Sequence, residues 1–496
     1  MIRTENLHQL IDSVTTTLNG PVKAGLGTKT SQEALAAVLA ILNRFKSDLV
    51  DGDRIAMEVA PQWATIVETG GELLQTDPPL HSPIQHWSDI DSGVLSLQRN
   101  LSDDQRIGRI ADGLKTDDPV TRNWMSDAAD LMVKLSRDFE ASFVAQDLVI
   151  EEERAEGPEA NLKERVETYL LDRFPQLPGH PIMKFAVVGG GNSKLTALFT
   201  LAENDVLPRQ LALRMDIPNA ITEARLDTEW PILQRVHELG LPVPEPILFE
   251  PEAEHIGNAF ILSEQVTNAE IAGSCFPEDR ARYGSNMGPD FGREAAQLLA
   301  RIHSSTLERE GDSGEILAET TKNIARQSAE WRSLEKPPFS LAVDLGISWM
   351  KANPLPLGRP VCLIHGDYAQ HNIMVRYGHI HSLLDWELAK RGDPAEDLAE
   401  ARMMLVDGCI EWDEFVREYL EAGGPAGAVD PHAIAYYGLS VYLKHGANQT
   451  RLRSAFFNGE RTDLIAAICA SHYQDRITLY QSLAFRDAME VTNARR

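Results

Sequence analysis

Between Cys362 and Pro394 the chain reads CLIHGDYAQHNIMVRYGHIHSLLDWELAKRGDP, in which His365, Asp367, Asn372, Asp385 and Glu387 are set among apolar runs. The runs at 361–364, 373–375 and 380–384 read as short strands, the last two joined through a glycine suited to a tight turn. With Gly378 and His379 as that turn, Asn372 and Asp385 face each other across the hairpin mouth, roughly 4.5–5.5 Å apart at Cβ. Asp367 lies in the loop that enters the hairpin. An amide and a carboxylate supply oxygen donors for a hard cation, and a second carboxylate remains for proton transfer. Asn and Asp also serve as plain turn formers, so residues elsewhere in the chain have to decide between the two readings.

His365-Gly366-Asp367, Asn372 and Asp385-Trp386-Glu387, followed by Gly392-Asp393-Pro394 and Asp397-Leu398-Ala399, form a long, ordered motif set. It resembles the aminoglycoside phosphotransferase and choline kinase-like family of small-molecule kinases. The resemblance implies an α+β, protein-kinase-like two-lobed fold, with a small β-rich lobe and a larger helical lobe. It also implies roles. Asp367 is the catalytic base accepting the substrate hydroxyl proton, while Asn372 and Asp385 hold Mg²⁺ on the nucleotide phosphates. His365 braces the loop, and Glu387 stands behind the metal or beside a second one. Asp393 and Asp397 read as residues that cap or pin the next helix.

Upstream residues fill the remaining places in the expected order. A strand, the triplet Gly189, Gly190 and Gly191, and another strand suit a loop whose backbone N–H groups cover phosphates, with Asn192, Ser193 and Lys194 as added donors. In QLALRMDI, Leu211, Leu213 and Met215 alternate with Ala212, Arg214 and Asp216, so Arg214 takes the place of the phosphate-binding strand lysine. A guanidinium can hold phosphate oxygens bidentately. Arginine here resembles the branch that includes kinase domains associated with acyl-CoA dehydrogenases. Glu229, with Glu223 as its rival, fits the helix acid that pairs with this cation. The strand at 260–262 runs into Ser263-Glu264-Gln265-Val266, where Glu264 and Val266 are the hinge residues offered to the purine. Nothing there separates ATP from GTP. His303 reads as a buried, hydrogen-bonded core histidine. No Ala-Pro-Glu activation segment follows Asp385, which favours a small-molecule acceptor over a protein.

At 496 residues and 43% apolar, the chain is long enough for two or three domains. Residues 1–155 read as an all-α amino-terminal domain, 156–266 as the β-rich lobe and 267–496 as the helical lobe. In the first, helical spacing runs from a Thr30–Glu33 capping box through Leu49, and again over 118–140 with Trp124, Ala128, Leu131, Met132 and Leu135 on one side. GLGTKTS at Gly25 lacks a contiguous phosphate-loop signature and a preceding strand. The net charge of −27 opposes nucleic-acid binding. No apolar stretch is long enough for a membrane span and no signal core opens the chain, so a cytoplasmic protein is expected. Cys275, Cys362, Cys409 and Cys469 are scattered without a CxxC pair.

The reading is therefore ATP- and Mg²⁺-dependent phosphorylation of a small-molecule hydroxyl, on a hydroxyacyl-CoA or another catabolic alcohol. Arg451, Arg453 and Arg461 are candidates for a basic patch serving an acyl-CoA. The alternative acceptor is an antibiotic, an aminoglycoside or a macrolide. A different class, a metal-dependent hydrolase, would use His365, Asp367, His371 and Asp385 as ligands. A catalytically dead binding module is opposed by the intact Asp367, Asn372 and Asp385. The amino-terminal helices suit homo-oligomerisation, cover of the active site, or docking of a partner enzyme.

Overall fold

In the computed structural model the described residues are 15, 18, 29–75, 104–142, 161–188, 194–216, 225–274, 287–305, 313–333, 340–457 and 474–495. They gather into two compact units, each discontinuous in sequence: 1–150 with 317–357 and 431–496, and 151–316 with 358–430. The helices before residue 150 thus pack with carboxyl-terminal helices instead of standing as a domain of their own, and the linear division at 155 and 266 does not follow the packing. Among the described residues no helix is long and apolar enough to cross a membrane.

Among its described residues the first unit is built of helices and no strand. Helices α1 (Lys29–Leu74), α2 (Asp104–Lys115) and α3 (Pro119–Ser142) come first in the chain. The apolar spacing over 118–140 does what it predicts: α3 buries Trp124, Ala128, Leu131, Met132 and Leu135 along one side. Asp118 starts that helix by accepting the N–H groups of Val120 and Thr121, donors that the first turn leaves without helical partners. Helix α3 packs against α1 and against the helix Gln474–Ala494, while α2 packs on the helix Leu341–Ala352. Large rings fill the space between helices, and two of them anchor their N–H groups on other helices. Trp124 Nε1 donates to Ile66 O at 2.9 Å, and Trp349 Nε1 donates to Thr492 Oγ1 at 2.8 Å.

The second unit opens with α4 (Leu162–Arg173) and an antiparallel five-stranded sheet in the order β1-β2-β3-β5-β4. Its strands are β1 (Ile182–Val188), β2 (Lys194–Leu201), β3 (Gln210–Asp216), β4 (Pro246–Glu250) and β5 (Phe260–Glu264), with α5 (Leu226–Glu238) between β3 and β4. Alternation decides which side chains go where. Ala197, Phe199 and Leu201 on β2 and Leu211, Leu213 and Met215 on β3 join Val166, Tyr169 and Leu170 of α4 in one core. The opposite face of the same strands carries Lys194, Thr196, Arg214 and Asp216, with Thr196 across from Arg214 and Lys194 across from Asp216. Tyr169 shows how the core closes. Its hydroxyl donates to Glu250 Oε2 at 3.0 Å, and burial with that carboxylate pushes the phenol up to about 12.

Beyond the sheet, β6 (Glu270–Ile271), β8 (Ile373–Arg376) and β9 (His379–Leu383) form a three-stranded sheet, and β7 (Cys362–Ile364) pairs with β10 (Lys390–Gly392). Helices α6 (Pro289–Ser304), α7 (Ala395–Ala401) and α8 (Trp412–Glu421) surround these ribbons. Cys362 and Cys409 are not bridged, and Cys275 and Cys469 lie outside the described residues.

The sheet core sets a first prediction. Phe199 is fully buried and stacks on Phe185 with 5.9 Å between ring centroids. Phe199→Ala should cost about 3–5 kcal/mol, read as a lowered urea midpoint by circular dichroism. Met183→Ala, on the exposed side of the neighbouring strand, should stay within about 0.5 kcal/mol.

Candidate active site

The hairpin that carries the candidate metal ligands turns one residue earlier than its sequence suggests. Tyr377 and Gly378, at φ 54° and 82°, are the two turn residues, and Arg376 pairs with His379. Two successive positive φ values make the primed turn whose twist matches paired strands. A bulge between Met374 and Val375 then shifts the register, so Ile373 pairs with Leu383 and Leu384 N donates to Asn372 O at 2.8 Å. Asn372 therefore faces Leu384, and Asp385 lies one step beyond the expected pair. A slip of one residue would turn a side chain to the wrong face. At Asp385 the backbone is left-handed, φ 62° and ψ 64°, and the carboxylate comes to Arg214 instead. Non-glycine residues adopt that conformation rarely.

The loop from β7 to Asn372 is held from below by one buried carboxylate. Asp397, on α7, accepts the N–H groups of His365 and Gly366, each at 2.7 Å. His303 Nε2 lies 3.1 Å from the same carboxylate, and its Nδ1 lies 2.7 Å from the Tyr419 hydroxyl. Burial alone would raise Asp397, but the His303 imidazole and the two amides outweigh it and hold the carboxyl below its usual range. His303 is thus the buried, bonded histidine the sequence suggests. Asp397 pins the loop that carries Asp367, whereas Asp393 caps α7 through Ala395 N–H and pairs with Arg359. Gly366 sits at φ 80°, and a Cβ there would lie 2.5 Å from Leu388 O, so only glycine fits the turn into Asp367.

Asp367 and Asn372 are bonded to each other. Asn372 Nδ2 donates to Asp367 O at 2.9 Å and to Asp367 Oδ2 at 2.8 Å. His371 Nε2 lies 3.5 Å from the same Oδ2. Burial presses that imidazole down, yet Asp367, with Asp385 and Glu400, holds it above its ordinary value. His365 sits fully buried with Nε2 3.0 Å from Leu384 O and its ring against Trp386. It braces the loop against the hairpin exit.

Across from these groups stand two cations on the sheet. Arg214 reaches Glu229 Oε1 with Nη1 at 2.5 Å and Asp385 Oδ1 with Nη2 at 2.7 Å. Its burial would lower it, but Asp385, Glu229 and Glu387 raise it and keep it charged. Burial pushes Glu229 up against the pull of Arg214. Lys194 Nζ lies 3.3 Å from both Asp216 Oδ1 and Glu387 Oε2, and Glu387 Oε2 is 3.8 Å from Arg214 Nη2. Burial and Asp385 raise Glu387, with the two cations opposing. The structure therefore brings Arg214, Glu229, Asp385 and Glu387 into one cluster and joins Asp367 to Asn372. The sequence named Lys194 only as a donor beside the glycines; its burial was not readable, because a lysine after a glycine loop looks exposed.

The other expected residues divide in two groups. Glu264 ends β5, its N–H donating to Glu245 O at 2.9 Å, and Gln265 N–H bonds Gln210 O at 3.0 Å, with Val266 just beyond. Gly189, Gly190, Gly191, Asn192 and Ser193, together with the rival acid Glu223, lie outside the described residues. Of the arginines weighed for an acyl-CoA, Arg451 is paired with Glu330 at 2.6 Å, and Arg461 lies outside the described residues. The hydrolase alternative finds no support here. Among the described residues no three His, Cys, Asp or Glu side chains gather to hold a metal, and His365 is committed to a backbone carbonyl.

A strand cation paired with a helix acid, a His-Gly-Asp loop, a following asparagine and an acid at the hairpin exit, in that chain order, define a kinase-like phosphotransferase. The chain belongs to the phosphotransferase enzyme family (APH), whose sequence profile matches residues 185–437. It is 26% identical over 250 residues to acyl-CoA dehydrogenase family member 11 of Gallus gallus, covering 48% of this chain and 30% of that one. It is 25% identical over 221 residues to acyl-CoA dehydrogenase family member 10 of Mus musculus, covering 42% and 19%. The chain thus spans less than a third of the length of these relatives. Among solved structures, a choline kinase from Streptococcus pneumoniae aligns at 15% identity and TM-score 0.43, over 65% of this chain and 100% of that one. An aminoglycoside phosphotransferase mutant bound to AMP-PNP and hygromycin B aligns at 18% and 0.41, over 64% and 98%.

Asp397 generates a pH-dependent prediction. Asp397→Asn removes a buried, paired charge and should cost about 3–5 kcal/mol at pH 7. Because the folded carboxyl is lowered, its contribution is complete above the ~3.9 of an unfolded aspartate and is lost as pH falls through the folded value. The gap in urea midpoint between wild type and variant should be widest at neutral pH and close on acidification.

Proposed function

We propose that the chain transfers the γ-phosphoryl group of ATP to a hydroxyl of a small molecule, with Mg²⁺ as the companion ion. The observation that carries this reading is the Arg214 fork, which engages the helix acid Glu229 and the hairpin-exit acid Asp385 together. The donor set suits the ion. Asn372 commits its NH₂ end to Asp367 and presents Oδ1, and Asp385 adds a carboxylate, two hard oxygens of the kind Mg²⁺ takes alongside phosphates and water. When bound, Mg²⁺ would neutralise charge on the transferring group.

The chain's own residues would do the rest. Asn372 fixes the Asp367 carboxylate, which orients the acceptor hydroxyl and takes its proton. Arg214 steadies the nucleotide phosphates, and Glu229 keeps the guanidinium aimed. Asp397 holds the loop so that Asp367 need not reorganise during transfer, the saving on which positioning catalysis depends. GTP would meet the same phosphate groups.

For the acceptor, the names of the acyl-CoA dehydrogenase relatives favour an alcohol carried on an acyl-CoA, and a hydroxyacyl-CoA is the first compound class to test. Aminoglycoside and macrolide antibiotics are the competing acceptors. The deciding experiment is ADP release from Mg·ATP across a panel of hydroxyacyl-CoAs, other alcohols and antibiotics.

Two variants test the assignments within that assay. Asp367→Ala should lower turnover by roughly 10²–10⁴-fold with Mg·ATP affinity within about threefold of wild type; retained turnover would remove Asp367 as the base. Asp385→Ala should abolish Mg·ATP binding in calorimetry, and an unchanged affinity would remove it as a ligand.

A further inference from the structure

The reaction proposed above gives Lys194 no role, yet its side chain is 3% exposed and its ammonium touches two carboxylates. A buried ammonium needs a partner, and Asp216, its cross-strand neighbour, would suffice. The second partner, Glu387, comes from the turn that follows Asp385, on the other side of the cluster. Glu387 is itself 7% exposed and has a second cation near it, Arg214 at 3.8 Å. Two acids beyond Glu229, the partly exposed Asp385 and the buried Glu387, thus lie beside the one guanidinium, and Lys194 gives Glu387 a second cation.

We propose that Lys194 is a positioning residue for phosphoryl transfer: by neutralising Glu387 and tying it to β2, it leaves the Arg214 fork to Glu229, Asp385 and the nucleotide phosphates. Without the ammonium, Glu387 would be a buried carboxylate whose nearest cation is Arg214. The guanidinium would then be drawn from Asp385 toward Glu387, and the turn bearing Asp385 would lose its tether to the sheet. A lysine suits this task because its ammonium is a compact charge with three donors, able to meet two acids from different elements at once. Arginine at the same place would keep the charge while changing its shape.

This inference rests on the kinase reading, and one calorimetric series separates the two. Mg·ATP is titrated into the wild-type chain, Lys194→Met, Lys194→Arg, Glu387→Gln, and the double variant Lys194→Met/Glu387→Gln. Wild type should bind; absence of binding at millimolar Mg·ATP overturns the kinase reading itself. With wild-type binding in hand, Lys194→Met should weaken affinity about tenfold or more, and Lys194→Arg should recover part of the loss. The double variant should bind at least about threefold more tightly than Lys194→Met, because a neutral Glu387 no longer competes for Arg214. A merely structural lysine would show no such rescue in affinity. The proposal is overturned if Lys194→Met binds as wild type does, or if the folded double variant binds no better than Lys194→Met. Should Lys194→Met fail to fold, the double variant is compared with Glu387→Gln alone, which keeps the lysine on Asp216: equal affinity supports the proposal, because no acid at 387 remains to be neutralised, and a further tenfold loss overturns it.

Discussion

Charges withdrawn from water must be paired, and in this protein the pairing joins the five-stranded sheet to the turn that follows the β8–β9 hairpin. Arg214 and Lys194 project from adjacent strands on the sheet's polar face, and the acids they meet come from a helix, from β3 and from the turn after β9. Each acid would be costly to bury alone. The cluster therefore specifies geometry more than it adds stability: the strands, α5 and the hairpin exit can satisfy their charges together only when the Asp385 turn sits beside β3. A left-handed aspartate at that turn is tolerated because the guanidinium holds its carboxylate there.

Below the ribbon a second buried acid does the complementary work. Asp397 receives two consecutive backbone N–H groups at the entry of the His365–Asn372 loop, so the path of the chain into Asp367 is set by α7 and not by the loop's own preferences. His303 and Tyr419 extend the contact to α6 and α8, which makes the loop's position a property of three helices. Gly366 completes the constraint, since the close approach of Leu388 O leaves no room for a side chain. Asn372 then fixes the Asp367 carboxylate, with His371 beside it.

Much of this was legible in the sequence because it is local. Alternation over 210–216 placed Arg214 opposite the core residues Leu213 and Met215, and the 3.6-residue spacing over 118–140 placed Trp124 and Met132 in a helix core. What failed was set by geometry that single residues do not announce. The hairpin turned at Tyr377 and Gly378 because the paired strands accept only a primed turn, and an exposed tyrosine at positive φ gives no signal of it. That turn displaces the pairing by two positions and a bulge at His381 recovers one, so Asn372 faces Leu384 instead of Asp385. Asp397 was read as a helix residue because a cap is a local pattern, whereas its bonds run to residues some thirty positions earlier. The joining of the first helices to the last ones was equally hidden, since long-range packing leaves no periodic trace.

The arginine on β3 fits the same logic. A planar fork can give one nitrogen to Glu229 and another to Asp385, at 2.5 and 2.7 Å, where a single ammonium would have to divide one point charge between acids on opposite sides. That reach also brings the fork within 3.8 Å of Glu387, so an arginine here draws a third acid into its range. Lys194 answers that consequence. With Asp216 included, four carboxylates face two cations, and on the proposed reading a bare nucleotide would approach an excess of negative charge. On the same reading, a divalent ion brought with the phosphates would offset that excess, with Asp385 and Asn372 as the residues that would hold it and Arg214 left to the phosphates.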